Sequence, residues 1–248
     1  SYFVHAKQRL AHSYALKNIC SLSFLNNKKI PMEKIFDINQ NLNLLDVLGI
    51  KPISKSMKIW LSDEDKKFAE DFIQKNNLEN EKLIGIHAGC SPDQPYKKWP
   101  EKKFAGLINL LQKKGYAIIL CGGPSDKQII KNISSLVEGC LIVDNAKMTN
   151  AAALIKKCSL FISNDSGLMH VAVAVGVPVA AIYGASDPRR TAPYFDFKNI
   201  IRTNLGCQPC DRTLHNIGKK FKCIYGKDYQ CLNKLSVDEV FDSIRERI

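Results

Sequence analysis

The chain has 248 residues, 45% of them hydrophobic and 24% charged, and 36 Lys and Arg against 24 Asp and Glu give it a net charge of +12. That composition excludes a disordered, collagen-like or coiled-coil chain, and the length suits one or two domains with a sizeable core. No apolar run reaches the ~20 residues of a membrane-spanning helix; the longest, Leu168 to Tyr183, is broken by His170, Gly176 and Pro178.

Residues 1 to about 60 carry a helix-like run from Ala6 to Asn18, then a short amphipathic helix with Leu42, Leu45 and Leu48 on one face and Gly49 as its stop. Lys51 to Lys58, with Pro52 and two serines, reads as a linker. Ser62 is a good N-cap, and Asp63, Glu64 and Asp65 suit the positive end of a helix dipole in a helix reaching about Lys75.

From Leu83 the pattern is regular. Strands are expected at 83–87, 116–121, 141–143, 159–163 and 178–183, with a sixth at 199–202. Helices are expected at 101–114, with Phe104, Leu107, Ile108 and Leu111 on one face, at 125–137, from a Thr149 cap to Lys157, and from a Ser166 cap to Gly176. Ser236 followed by Glu239 is a capping box that opens the last helix. Short apolar strands alternating with helices predict an α/β, Rossmann-like parallel sheet with helices on both faces. Ligands bind such sheets outside the carboxyl ends of the strands, which directs attention to 87–98, 122–126, 144–148, 164–170 and 184–191.

Four of these segments carry recognisable chemistry. Asn164-Asp165-Ser166-Gly167 opens a helix whose first-turn amides can meet an anion over a glycine, and His170 projects from the same face as Ser166. A cap and a core histidine explain the same residues equally well. His87-Ala88-Gly89-Cys90-Ser91 followed by Lys97-Lys98-Trp99-Pro100 is a small-residue turn with a lysine that can neutralise a departing diphosphate, or a surface lysine pair before a helix. In Gly122-Gly123-Pro124-Ser125-Asp126 the acid can accept from ribose hydroxyls or merely start the next helix. Gly184-Ala185-Ser186-Asp187-Pro188 is a further turn. The chain has no His-x-x-x-His pattern, nucleophile elbow, Walker loop or Gly-x-Gly-x-x-Gly, which disfavours an ordinary dinucleotide oxidoreductase. The basic residues fall in scattered pairs such as Lys113-Lys114 and Lys156-Lys157, without the aromatic interleaving of a single-strand nucleic-acid platform.

Taken in order, these segments resemble glycosyltransferase family 9, the ADP-heptose:lipopolysaccharide heptosyltransferases. The pieces are Ile86-His87-Ala88-Gly89 with Lys97-Lys98-Trp99-Pro100, Leu120-Cys121-Gly122-Gly123, the run Ser163 to Pro178 built on Asp165-Ser166-Gly167 and His170, and Tyr183 to Pro188. The likeness covers about residues 60 to 248. It implies the C-terminal, nucleotide-sugar-binding half of a GT-B fold at 61–248, preceded at 1–60 by the tail of the N-terminal acceptor-side domain and a linker. It implies transfer of a heptose from ADP-heptose to a lipopolysaccharide core acceptor with inversion, with no cofactor, no catalytic metal and no nucleic-acid partner. By the same resemblance Lys97 stabilises the leaving diphosphate, Asp165, Ser166, Gly167 and His170 cradle it, Met148 lies near adenine, and Asp126 lies near ribose. Gly89 and Cys90 stand where relatives often carry hydroxyl residues. The family's catalytic aspartate sits early in the N-terminal domain. Ser1 is not an initiator Met and no secretory signal opens the chain, so the sequence is expected to start after that base and to be cytoplasmic, with peripheral contact at the inner membrane face.

Nine cysteines remain to be placed. Cys121, Cys140 and Cys158 sit in or beside apolar strands, as small buried hydrophobes do. Cys207, Cys210, Cys223 and Cys231 lie in a loop-like stretch; the leading Cys207-x2-Cys210 can be half of a tetrahedral zinc site, with His215 as a substitute ligand, or the four are spare thiols or chance disulfides. The alternative to the enzyme is accordingly a nucleotide- or nucleic-acid-binding module with a four-cysteine metal site.

Overall fold

A computed structural model describes residues 6–13, 25–31, 33, 35–193, 197–210, 223–226 and 228–248. These fall into two compact units, one of residues up to Ser56 with Arg189–Thr191, the other of Met57–Pro188 with the described residues from Ala192 onwards.

In the first unit, strand β1 (Leu10–Ser13) pairs in parallel with β2 (Lys28–Pro31), and helix α1 (Asp37–Asp46) follows. The expected helix from Ala6 is overturned here: residues 10–13 are extended, and those from 14 to 18 lie outside the described residues. A tertiary partner wins over local periodicity, because pairing in register with β2 gives β1 hydrogen bonds that an isolated helical turn would have to make locally. Gln40 is buried on α1 and its amide meets the His12 ring nitrogen at 2.9 Å. The short helix stops at a left-handed glycine, Gly49, whose φ is +71°.

The second unit opens on α2 (Asp63–Lys75). Ser62 and Asp65 form its capping box, with each side chain bonded to the other's backbone. Then come β3 (Lys82–His87), α3 (Glu101–Lys113), β4 (Tyr116–Cys121), α4 (Lys127–Ser134), β5 (Leu141–Val143), α5 (Met148–Ile155), β6 (Leu160–Asn164), α6 (Gly167–Ala174) and β7 (Val179–Ile182). The chain closes with α7 (Pro188–Thr191), β8 (Ile200–Ile201), α8 (Gln230–Asn233) and α9 (Val237–Ile244), the last capped by Ser236 and Glu239 as expected.

The six strands pair in parallel in the order β5-β4-β3-β6-β7-β8. Side chains alternate between two cores, as a sheet covered on both faces requires. Ile84, Ile86, Ile118, Leu120, Leu160 and Ile162 pack on the α3 and α9 side, whereas Leu83, Ile119, Cys121 and Phe161 pack on the α5 and α6 side. Gly85 lies under the Phe161 ring; a Cβ there would come within 2.6 Å of it. Two helix starts differ from expectation. Residues 124–126 form a single 3-10 turn before α4, and α5 begins at Met148 with Lys147 at its N-cap. Thr149 is not a cap, because its hydroxyl donates to Asp65 Oδ1 at 2.6 Å and so ties α5 to α2.

Candidate functional site

The strand order reverses between β3 and β6. Successive strands step outward from β3 through β4 to β5, and the chain then returns to lay β6 on the other side of β3. At that point the connections leave in opposite directions and open a crevice at the carboxyl ends. A cavity of about 470 Å³ lies there. His87, Cys90 and Ser91 line it from the end of β3, Gly122, Gly123 and Asp126 from the end of β4, Ala146 and Met148 from the β5 loop, and Ser166, Gly167 and Leu168 from the start of α6. The polar groups come from β3, β4 and β6; the β5 loop and α5 bring apolar Ala146, Met148 and Ala151. Gly184 to Thr191, also singled out by the sequence, contributes no lining residue.

Gly167 is the first residue of α6 and is exposed, and the space where its Cβ would stand is open to 4 Å. At that position the start of α6 therefore presents bare backbone to open space. Ser166 occupies the N-cap in extended conformation but makes no capping bond with its side chain. Its hydroxyl instead meets His87 Nδ1 at 2.8 Å and Ser163 Oγ at 3.0 Å. His87 Nε2 is 3.3 Å from Asp126 Oδ2, which also accepts from the Gly123 N–H at 2.8 Å. His87 and Asp126 are both buried. Burial raises the Asp126 carboxyl, but the hydrogen bonds from His87 and Gly123 outweigh it and hold the group below the ordinary carboxylate value.

Lys97 Nζ lies 2.8 Å from Asp165 Oδ2, on the same end of the sheet as the amides. Asp165 is 5% exposed, so its carboxylate holds the lysine rather than facing an anion. The loop carrying Lys97 is anchored by Trp99, which is fully buried, stacks edge-on to Phe104 at 5.0 Å, and donates from its indole to the Leu235 carbonyl. Asn164 completes the anchor. It accepts from the Trp99 N–H at 3.1 Å and donates to the Ala88 carbonyl at 2.8 Å, joining the end of β6 to the loop after β3.

The structure thus gathers Cys90, Asp126, Met148, Ser166 and Gly167 around one cavity and sets the Lys97–Asp165 pair on the same loops. His170 stands on α6, half-buried, outside that lining. Gly89 has a steric reason to be glycine, since a Cβ there would come within 2.1 Å of Asp126 Oδ1 and 2.8 Å of His87 Nε2. Sequence reasoning missed His87 and Asn164 as site residues. The signal was their position, each being the last residue of a strand flanking the reversal. At Cys90, burial pushes the thiol up, with Lys98 and Lys97 pulling it back in part.

Among the described residues no three His, Cys, Asp or Glu side chains are grouped to hold a metal ion, and Cys207, Cys223 and Cys231 form no disulfide. Burial, reinforced by the nearby Cys210, Cys223 and Cys207, pushes Cys231 up to about 11. His215 lies outside the described residues. Among the described residues no helix is long and apolar enough to cross a membrane.

Comparison with known proteins identifies the family of the fold. Lipooligosaccharide heptosyltransferase 2 of Haemophilus influenzae is 37% identical over 163 residues, which cover 63% of this chain and 46% of that protein. The crystal structure of a glycosyl transferase family 9 protein from Veillonella parvula superposes with a TM-score of 0.75 at 25% identity, covering 98% of this chain and 68% of that one. The structure of Escherichia coli ADP-heptose lps heptosyltransferase II shares the fold, with a TM-score of 0.73 at 22% identity, covering 99% of this chain and 71% of that one. The chain spans about half the length of the curated relatives it matches. The model of glycosyltransferase family 9 (heptosyltransferase) matches residues 3–220, and with the α/β crevice and its Asp165-Ser166-Gly167 turn this establishes that the chain belongs to that family.

Proposed function

We propose that the chain binds a nucleotide-diphosphate sugar, ADP-heptose, in the cavity between β3 and β6 and serves an inverting transfer of the heptose to a lipopolysaccharide core acceptor. One observation carries this reading. The open helix start at Gly167, the Ser166 hydroxyl and an anchored Lys97 share the carboxyl end of the sheet at its point of reversal. In the transfer, the acceptor oxygen forms a bond to the anomeric carbon while the bond to the diphosphate oxygen breaks. Negative charge accumulates on the departing phosphate. Preorganised donors aimed at such charge are worth about 10²–10³ in rate apiece. Lys97, the α6 amides and Ser166 take that role here, and Asp165 keeps the lysine in place.

The remaining contacts follow from the lining. Asp126 accepts from the ribose hydroxyls, while Met148, Ala146 and Ala151 offer an apolar seat to adenine. Gly89 and Cys90 bring the loop backbone beside the phosphates, whereas His170, expected to reach them, stands outside the lining. On this reading residues 61–248 form the donor-binding domain and 1–60 the tail of the acceptor-side domain. The chain works in the cytoplasm, its basic surface against the acidic inner face of the membrane.

Calorimetric titration of the 248-residue chain with ADP, and with UDP and GDP for comparison, tests the proposal. Saturable binding that prefers ADP and weakens at least tenfold in Lys97→Ala is expected. No saturable ADP binding, together with oligonucleotide binding of steep salt dependence, would overturn it.

A further inference from the structure

We propose that a second groove, lined by Trp60 and three lysines, seats the chain on an acidic phospholipid surface. This rests on the reading of the protein as one that works against a membrane, and goes beyond it by naming the surface and the side chains that make the contact.

The groove has a volume of about 350 Å³ and shares no lining residue with the donor cavity. It lies within the second unit, between the stretch that leads into α2 and the C-terminal ends of α5 and α6. Ile59, Leu61 and Val175 give it an apolar floor, packed against the core on the α5 and α6 side. Burial alternates along residues 57–61, so that Ile59 and Leu61 turn inward while Lys58 and Trp60 are exposed. Trp60 is 84% exposed, whereas Trp99, the chain's second tryptophan, is fully buried. An indole has a large apolar body and one polar N–H, and it is best served where one side is apolar and the other wet. The headgroup layer of a bilayer is such a place.

The charges around the ring point the same way. Lys58, Lys66 and Lys156 line the groove, and among the described residues no acid does. Lys66 meets Asp63 at 2.7 Å, an exposed pair that water screens. The ammonium groups of Lys58 and Lys156 make no ion pair among the described residues. Glu70, on α2, faces Lys157 instead, at 3.9 Å. The chain that leads in, residues 51–58, carries Lys51 and Lys55 as well and no acid.

An exposed ring among unpaired ammonium groups selects the occupant. A stably bound protein partner needs about 800 Å² of surface per side, and only one large apolar side chain of this groove is exposed. A lipid surface needs no such fit. It offers each lysine a phosphate, at about fivefold in partition per lysine, and it takes the ring at headgroup level.

The test mixes the 248-residue chain with vesicles of phosphatidylcholine alone, or with about one third phosphatidylglycerol. Because Trp99 is buried, a change in tryptophan emission reports on Trp60. Cosedimentation with the acidic vesicles only is expected, with a blue shift and with quenching by lipids brominated on the acyl chain. Raising the salt should weaken it. Trp60→Ala should abolish the shift and weaken partition severalfold. Lys58→Glu combined with Lys156→Glu should weaken it at least about tenfold. Both variants should keep the parent's melting temperature and ADP titration, since these side chains are exposed and outside the donor cavity. No cosedimentation, equal binding to neutral vesicles, or unchanged partition in either variant would overturn the proposal. So would saturable binding of glycerol 3-phosphate in place of vesicles, or vesicle-free dimerisation that Trp60→Ala removes. A chain that binds ADP but no acidic vesicle loses this inference alone. One that binds vesicles through Trp60 but no ADP keeps it and loses the donor-site reading.

Discussion

Replacing Gly89 by alanine places a methyl group where the Asp126 carboxylate already lies. The added carbon would stand 2.1 Å from Oδ1, 2.6 Å from Cγ and 2.8 Å from His87 Nε2. The side chain must therefore shift by close to an ångström and leave the Gly123 amide and His87. Two hydrogen bonds to a charged group, worth about 1.5–3 kcal/mol each, are strained or lost. Partial relaxation brings the expected cost to about 2–4 kcal/mol, or a melting temperature lower by about 4–16 °C for a unit of this size. Urea unfolding followed by circular dichroism measures it, best as a cycle with Asp126→Ala. In that background the methyl group meets no carboxylate and only the His87 ring has still to give, so its cost should fall to about half. Additive single-variant costs, or a Gly89→Ala protein as stable as the parent, would refute the argument.

Three further outcomes are expected. Lys97→Ala leaves the Asp165 carboxylate buried without its partner and should cost about 2–3 kcal/mol, less than a fully buried pair because the lysine is partly exposed; adding Asp165→Asn should restore stability by urea unfolding but not ADP affinity by calorimetry. Gly167→Ala meets nothing within 4 Å, so its melting temperature should equal or slightly exceed the parent's, while ADP affinity drops as the methyl group stands over the amides. Burial pushes the Cys158 thiol up to about 12 and the Cys121 thiol well above its ordinary value, so neither should react with iodoacetamide at about pH 8 in the native protein. Cys90, at the cavity wall, should react slowly and be protected by ADP, as peptide mass spectrometry would show.

Most of the second unit was legible because its signals are local. Ser62 with Asp65, and Ser236 with Glu239, are reciprocal caps within four residues, and both helices start where those pairs put them. Runs such as Tyr116–Cys121 have one strand-like solution between a helix stop at Gly115 and the glycine turn after Cys121. Leu10–Ser13 was misread because its structure depends on β2, 18 residues away, and a four-residue strand has too few positions to show a period. Thr149 was misread as a cap because its partner, Asp65, is 84 residues distant. The site divides in the same way. Gly167 and Lys97 announce themselves by type and place, whereas the Asp126–His87–Ser166 chain draws one group from each of three strand ends. No spacing rule reveals it, and only the order of strands in the sheet makes those ends neighbours.

That strand order has a kinetic corollary. β3 meets β4 across a short helical crossover, but it meets β6 only after the chain from His87 to Leu160 has returned to its flank. Closing the larger loop has the greater entropic cost and comes with fewer local contacts to offset it. A half-assembled sheet of β3, β4 and β5 would have a wall but no crevice, so a ligand of that crevice can recognise only chains in which the β3–β6 ladder has zipped. Ligand added during refolding should consequently leave the early rate untouched and slow only the reopening of that seam, visible as delayed hydrogen exchange along Ile162 and Ser163.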